Sequence, residues 1–396
     1  MKDQLPLGGM KVLDLTLMIA APEAAMILGE LGADVVKIEA PGGDPLRHIS
    51  PGGFAAYNAG KSSMVVDLKS PHGQALVRTM AERADVLIAG LRPGVLGRLG
   101  LDYEQLEPTC PQLIHASLTG FPDDDHDGPP RRGTDQVIQA ESGMMSITGY
   151  DGGEPLRVGF SVIDVVTGHV LAEMILAALV RRGRTGTGTE IKLSLLEVAL
   201  HMQAMPLGEF SRSGVVPARF GNSHVLGAPA GVFPTQTTAL IVGAYLQPHW
   251  ETLCHVLDMT HLLDDERFRT PGERVRHRGE LETLLAVEFG SKPAEYWYSR
   301  LANAGILVGR VHSYDQLDEL IGAHSTTTIA EDSRLAGPTV LPPFGALARS
   351  STIARRVPSR GADTWQVIDE WGLPEERVAA AVDAGALLEL AVRPLV

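Results

Sequence analysis

Short apolar runs alternate with helical patterns through the first two hundred residues. KVLDLT (Lys11–Thr16) reads as a buried strand. PEAAMILGELGA (Pro22–Ala33) follows with helical spacing, a proline at its start and a glycine near its end. DVVKIE (Asp34–Glu39) and SMVVDL (Ser63–Leu68) read as the next strands, GQALVRTMAERA (Gly73–Ala84) as an amphipathic helix, and DVLIAG (Asp85–Gly90), QLIHASLTG (Gln112–Gly120) and IKLSLL (Ile191–Leu196) as further strands. Such alternation predicts an α/β fold, a mostly parallel sheet with helices on both faces. Ligands of such sheets bind outside the carboxyl ends of the strands. The loop after the first strand, LTLMIAAPEAA, lacks the G-x-G-x-x-G fingerprint, and no Walker motif is present. The sheet is therefore expected to be Rossmann-like without the dinucleotide signature.

The texture changes after Val170–Met202, whose helical part ends in the basic RRGR that suits a helix C-terminus. A stretch rich in glycine and proline follows and reads as a linker into a new domain. ALIVGAYLQPHWETLCHVL (Ala239–Leu257) gives a strand and a helix of a smaller α/β unit, complete by about residue 325. The tail holds the proline-rich AGPTVLPPFGALARSS and then the helical DTWQVIDEWG and EERVAAAVDAGAL.

At 396 residues the chain exceeds a typical single core, which favours two domains. Its net charge of −14 argues against general nucleic-acid binding, though not against an anionic ligand held by locally placed arginines. Two distant cysteines, Cys110 and Cys254, predict neither a disulfide scaffold nor a metal site. The start MKDQLPLGGM has no apolar signal region, and no unbroken apolar run reaches bilayer length, so a cytoplasmic location away from membranes is expected.

The candidate chemistry centres on LRVGFSVIDVVTGHVLA, where Asp164 sits among Val162, Ile163, Val165 and Val166. A carboxylate in such company is costly unless paired or hydrogen-bonded. It reads as the N-cap of a helix running from Val165 to Arg181, a place that would also keep it ionised. DDDHD (Asp123–Asp127) reads as a solvated loop, because hard-cation loops space their ligands regularly. The histidines are scattered, so no metal is expected, and no G-x-S-x-G elbow points to a serine nucleophile. Arg92, Arg98, Arg131 and Arg132 each fall near a strand end or helix start, where a phosphate would bind.

Taken together, these segments resemble the family III CoA-transferases, the group that includes formyl-CoA transferase, carnitine CoA-transferases and α-methylacyl-CoA racemase. The motifs are VLDLT…AAP…LGELGADVVKIEAPGGDPLR, NAGKSSMVVDLKSPHG, ADVLIAGLRPGVLGRLGLDYEQL, LIHASLTGF, TDQVIQAESGMM, VGFSVIDVVTG and AALVRRGRTGTG, extended by RFGNSHVLGAPAGVFPT and GILVGRVHSYDQL. The resemblance covers nearly the whole chain and rests on their number and order. It implies a large Rossmann-like domain built from both chain ends (1–202, with 326–396 returning to it), a linker at 203–222, a small central domain at 223–325, and an interlocked homodimer. It also assigns Asp164 as the catalytic nucleophile.

The same comparison implies a coenzyme A site at Ile19, Ala20, Ala40, Val66, Asp67, Leu68, Lys69, Gly90, Leu91, Arg92, Arg98, Arg131, Arg132, Gly133 and Thr134. Arg98 and Arg132 are the favoured phosphate contacts. Formyl-CoA transferases carry Gln where this chain has Ile19, Arg where it has Ala40, and a glycine-rich flap where it has GNSHVLGAPAG, which argues against a formyl/oxalate pair. Racemases place His where this chain has Thr134, and a threonine hydroxyl is a poor base near neutral pH. The expectation is CoA transfer from an acyl-CoA to a free carboxylic acid through an aspartyl anhydride and an aspartyl-CoA thioester, with no metal. An acyl-CoA racemase or isomerase and a CoA-binding protein without turnover are the alternatives. The apolar Met18, Ile19, Met144 and Met145 hint at a substrate less polar than oxalate, or at core packing.

Overall fold

The computed structural model describes residues 5–92, 94–122, 131–225, 227–317 and 356–388. The DDDHD loop and the proline-rich AGPTVLPPFGALARSS lie outside the described residues. The chain divides into two compact units, one drawn from 1–144, 157–212 and 324–396, the other from 145–156 and 213–323.

The first unit is organised by a six-stranded parallel sheet. Its strands are β1 (Lys11–Leu15), β2 (Asp34–Glu39), β3 (Ser62–Val65), β4 (Val86–Ala89), β5 (Ile114–Thr119) and β6 (Thr189–Ser194), in the order β3-β2-β1-β4-β5-β6. The chain starts in the middle, winds outward to β3, then crosses back to β4 on the other side of β1. The strand order reverses between β1 and β4, and ligands of such sheets bind outside the carboxyl ends at that switch point.

Burial on both faces explains the near-continuous apolar strands. Val12, Val35, Val86 and Ile88 join one core, while Leu13, Leu15, Val36, Leu87 and Ala89 join the other, as the two-residue repeat of a strand requires. The helices that matter for the site are α1 (Ala20–Glu30), α2 (Pro51–Asn58), α3 (Pro71–Ala81), α4 (Val95–Leu99), α5 (Asp135–Glu141), α6 (Val162–Thr185), α7 (Leu195–Met202) and α8 (Ala204–Ser213). Helix α8 falls in the stretch that reads as linker. The C-terminal helices Thr364–Glu370 and Glu375–Asp383 contribute Val367, Ile368, Val378 and Ala381 to the core shared with α3.

Helix α6 packs along α1, burying Ile163, Thr167, Gly168, Leu171, Ala172, Ile175 and Ala178. Gly168 permits the close crossing: a Cβ there would stand 2.6 Å from Glu23 Cβ and 2.7 Å from the Ala20 carbonyl oxygen. The helix ends at Gly186, which has φ of 74° and closes it in the left-handed conformation. Arg182 in its last turn pairs with Asp85 at 2.8 Å. By length and composition α6 could cross a bilayer; in this fold its apolar face is core, packed on α1.

The second unit holds a three-stranded antiparallel sheet, β7 (Ala230–Phe233), β8 (Leu240–Gly243) and β9 (Leu307–Arg310). Phe233, Trp250, Phe268, Phe289 and Trp297 fill its core. Cys254 is buried there, and burial pushes its thiol up to about 12, so it is an inert packing residue.

Candidate functional site

Helix α6 begins at Val162 rather than Val165, so Asp164 lies inside its first turn and is not the N-cap. Ser161 holds the cap position and offers no side-chain cap. The capping role belongs to Asp135, the first residue of α5. Its buried Oδ2 accepts hydrogen bonds from the backbone N–H groups of Ile163 at 2.8 Å and Asp164 at 3.2 Å. Its Oδ1 accepts from Gln139 Nε2 at 2.6 Å, and Gln139 Oε1 accepts from Val158 N at 2.8 Å. This chain of bonds fixes the start of α6 against α5 and satisfies N–H groups that a helix N-terminus leaves open.

Because Asp135 does the capping, the Asp164 side chain is left uncommitted. Among the described residues it has no hydrogen-bond or ion-pair partner, and it is half-buried. Burial, reinforced by the Asp135 charge, pushes its carboxyl up to about 7. A basic carboxylate with no neutralising cation, held at a helix start, is suited to nucleophilic attack.

The loop after β1 is anchored from beneath. Asp14 accepts from Thr16 N at 2.9 Å and pairs with buried Lys61 at 2.8 Å. Lys61 also donates to the Pro22 carbonyl and to Asn58 Oδ1, both at 2.9 Å. Lys37 donates to the Thr16 carbonyl at 2.7 Å and pairs with Asp44 at 3.0 Å. Within this braced loop Met18 has φ of 69°, a left-handed conformation that is strained for a residue with a Cβ.

The residues read as a CoA site follow successive strands along one sheet edge. Half-buried Ile19 and buried Ala20 follow β1, exposed Ala40 follows β2, and Val66, Asp67, Leu68 and Lys69 follow β3. Val66 is wholly buried, and its N–H bonds the Glu39 carbonyl at 2.9 Å. Gly90, Leu91 and Arg92 leave β4, and Arg98 lies in α4. Arg131, Arg132, Gly133 and Thr134 run directly into α5. Gly133 packs on Gly120 at the end of β5, so closely that a Cβ on Gly120 would sit 2.4 Å from the Gly133 Cα.

The arginines differ in their commitments. Arg131 pairs with Glu141 and stacks 3.8 Å above the Phe121 ring centroid. Arg92, Arg98 and Arg132 are exposed and have no hydrogen-bond or ion-pair partner among the described residues. Met144 is a core residue at 8% exposure, whereas Met18 is 39% exposed in the loop after β1. Among the described residues, no group of three or more His, Cys, Asp or Glu is placed to hold a metal ion.

Asp135, Lys61 and Glu23 did not stand out as site residues in the sequence. The bond from Asp135 to the start of α6 spans 28 residues to Ile163, and no local spacing encodes it. For Lys61 the available signal was its place in NAGKSS, just before a buried strand.

The fold is thus a doubly wound parallel sheet with an uncommitted acid at the start of α6 and no G-x-G-x-x-G loop after β1. The CoA-transferase family III model matches residues 7–364, and the chain belongs to that family. It is 33% identical over 408 residues to an acyl-CoA transferase of Fusarium pseudograminearum, covering 96% of this chain and 88% of the relative. It is 37% identical over 299 residues to a succinate–glutarate CoA-transferase of Agrobacterium fabrum, covering 72% and 74%. The crystal structure of a CAIB/BAIF family protein from Brucella suis superposes with a TM-score of 0.81 at 30% identity, covering 93% of this chain and 99% of that one. The family drawn from the sequence motifs is therefore the right one.

Proposed function

We propose that this family III enzyme moves CoA from an acyl-CoA thioester to a free carboxylic acid with Asp164 as nucleophile. The observation that carries the reading is the uncommitted Asp164 carboxyl, raised to about 7 and oriented through its own backbone N–H by Asp135. Asp164 attacks the thioester carbonyl; the carbon–sulfur bond breaks and CoA leaves as thiolate, giving a mixed anhydride. The thiolate attacks the aspartyl carbonyl of that anhydride, which releases the donor acid as carboxylate and leaves an aspartyl-CoA thioester. The acceptor carboxylate attacks that thioester, forming a second anhydride and freeing the thiolate again. Thiolate attack on the acceptor's carbonyl then gives the new acyl-CoA and restores the Asp164 carboxylate. Each step exchanges one anion for another, so proton transfer is not required.

In this reading Arg92, Arg98 and Arg132 are the guanidinium groups open to CoA phosphates, while Arg131 is held by Glu141 and Phe121. The names of the relatives make small dicarboxylic acids such as succinate and glutarate the first acids to test. We also assign the chain to a homodimer of interlocked subunits. Met174, Val180, Leu200, Met205, Leu207 and Phe210 are exposed on α6, α7 and α8, an apolar set that a second copy would cover.

The test is transfer across a panel of acyl-CoA esters and free acids with Asp164→Asn and Asp164→Ala. Loss of transfer in both supports the reading; full activity of Asp164→Ala refutes it. Solvent deuterium appearing at the α-carbon of an acyl-CoA without any acceptor would favour the racemase alternative, which Thr134 already disfavours.

A further inference from the structure

A second acid lies close to Asp164 and has no part in the chemistry above. Glu23, in the first turn of α1, is 5% exposed. Its Oε2 is buried without a hydrogen-bond partner, and its Oε1 lies 3.5 Å from His169 Nε2, an ion pair only while that imidazole is protonated. Its location relative to Asp164 follows from helix geometry. Gly168 stands one turn after Asp164 on the same face of α6, because residues four apart in a helix are neighbours. The Glu23 stem packs directly on Gly168, at 2.6 Å from where a Cβ would be. Tyr57 marks the same neighbourhood, since burial and then the charges of Glu23 and Asp164 push its hydroxyl up.

We propose that Glu23 is a charge gate for the acceptor acid: neutral, it admits a carboxylate to the acylated Asp164, and ionised, it repels one. The gate rests on the CoA-transfer reading of the site. Once Asp164 is bound as a thioester it carries no charge, so Glu23 joins Asp135 in setting the local field that the incoming anion meets. Burial pushes Glu23 up to about 7 against the pull of Lys61, so its charge switches near neutrality.

The surrounding groups leave the gate without a dedicated cation. From α6 it meets His169, with Asp164 one turn before Gly168 and Asp135 beside Asp164; Tyr57 of α2 and Lys61 of the turn after it share its field, and Asp14 of β1 and Lys37 of β2 lie around Lys61. The three N–H donors of Lys61 already serve Asp14, Asn58 and the Pro22 carbonyl. Lys37 is held by Asp44 and the Thr16 carbonyl. Strand β4 offers only Val86–Ala89, with no titratable group.

The experiment measures KM for a monocarboxylic acceptor acid from pH 6 to pH 8, where a carboxyl of ordinary acidity stays ionised. An acid with its midpoint at about 7 goes from about one-tenth to about nine-tenths ionised over this range, so the native enzyme should show an acceptor KM rising about tenfold. Glu23→Gln, which keeps the shape and fixes the neutral state, should hold KM flat, and Glu23→Leu serves as a second neutral variant. His169→Asn should keep the rise. A flat native profile, a rise that persists in both Glu23 variants, or a rise lost only in His169→Asn would each overturn the gate. A parallel arm follows the Asp164–CoA adduct formed from donor alone. If no adduct forms, the transfer reading itself has failed, which is a separate result from a persistent KM profile.

Discussion

Asp135 is a cap, an anchor and a neighbouring negative charge at once, and replacing it separates these roles. Asp135→Asn keeps an oxygen that can accept the Ile163 and Asp164 N–H groups but removes the charge. A like charge about 6 Å away, at an effective dielectric of about 20, repels a carboxylate by about 3 kcal/mol. Solvent at the half-buried Asp164 reduces this to about 1.5 kcal/mol, which is about one unit of pKa. The rate of Asp164–CoA adduct formation, followed from pH 5 to pH 8.5, should therefore keep its sigmoidal rise while its midpoint moves down from about 7 by about one unit. Asp135→Ala instead leaves two N–H groups and Gln139 without their acceptor, and should lower unfolding stability by about 2–4 kcal/mol in a urea titration. An unmoved midpoint in Asp135→Asn, with the protein folded, would refute the argument that the Asp135 charge helps set the basicity of Asp164.

The raised Asp164 makes the folded chain hold a proton that the unfolded chain has already released, so stability falls as pH rises from about 4 to about 7. Asp164→Asn should consequently be more stable than the native protein by about 2 kcal/mol at pH 8, after allowance for partial exposure, and equal to it at pH 4, as urea midpoints at the two pH values will show. Gly168→Ala drives a Cβ into Glu23 and the Ala20 carbonyl, and should cost about 2–3 kcal/mol in the same titration; an unchanged midpoint would show that the α1–α6 crossing can yield. Arg98→Ala and Arg132→Ala should each raise KM for the acyl-CoA about tenfold with kcat within about twofold, and steady-state kinetics showing an unchanged KM would remove that residue from the CoA site.

The sheet was legible because its signal is local. Apolar runs such as VLDL and VLIA, set between helical repeats, mark buried parallel strands without reference to anything distant. Asp164 was also conspicuous, since it stands in an apolar stretch. Its structural role was not. The sequence pattern favours Asp as an N-cap, but the helix starts at Val162 because Asp135 satisfies the N–H groups of Ile163 and Asp164 from another helix. A tertiary bond displaced a local preference. Glu23 shows the same limit. In AAPEAAMILGE it reads as an ordinary first-turn acid that favours a helix start; only the crossing of α1 over Gly168 buries it. The arginines could be collected by position, but which of them were already committed depended on Glu141 and Phe121 meeting Arg131 in space.

The most direct test is to incubate the protein with succinyl-CoA, glutaryl-CoA and a wider acyl-CoA panel without acceptor, quench, digest and weigh the peptide containing Asp164. The account predicts that at least one donor adds the mass of CoA, less one water, to Asp164, that free acceptor acid discharges the adduct into a new acyl-CoA, and that Asp164→Asn forms none. CoA transfer that proceeds with Asp164 never modified, or an adduct on another residue that survives Asp164→Ala, would contradict it.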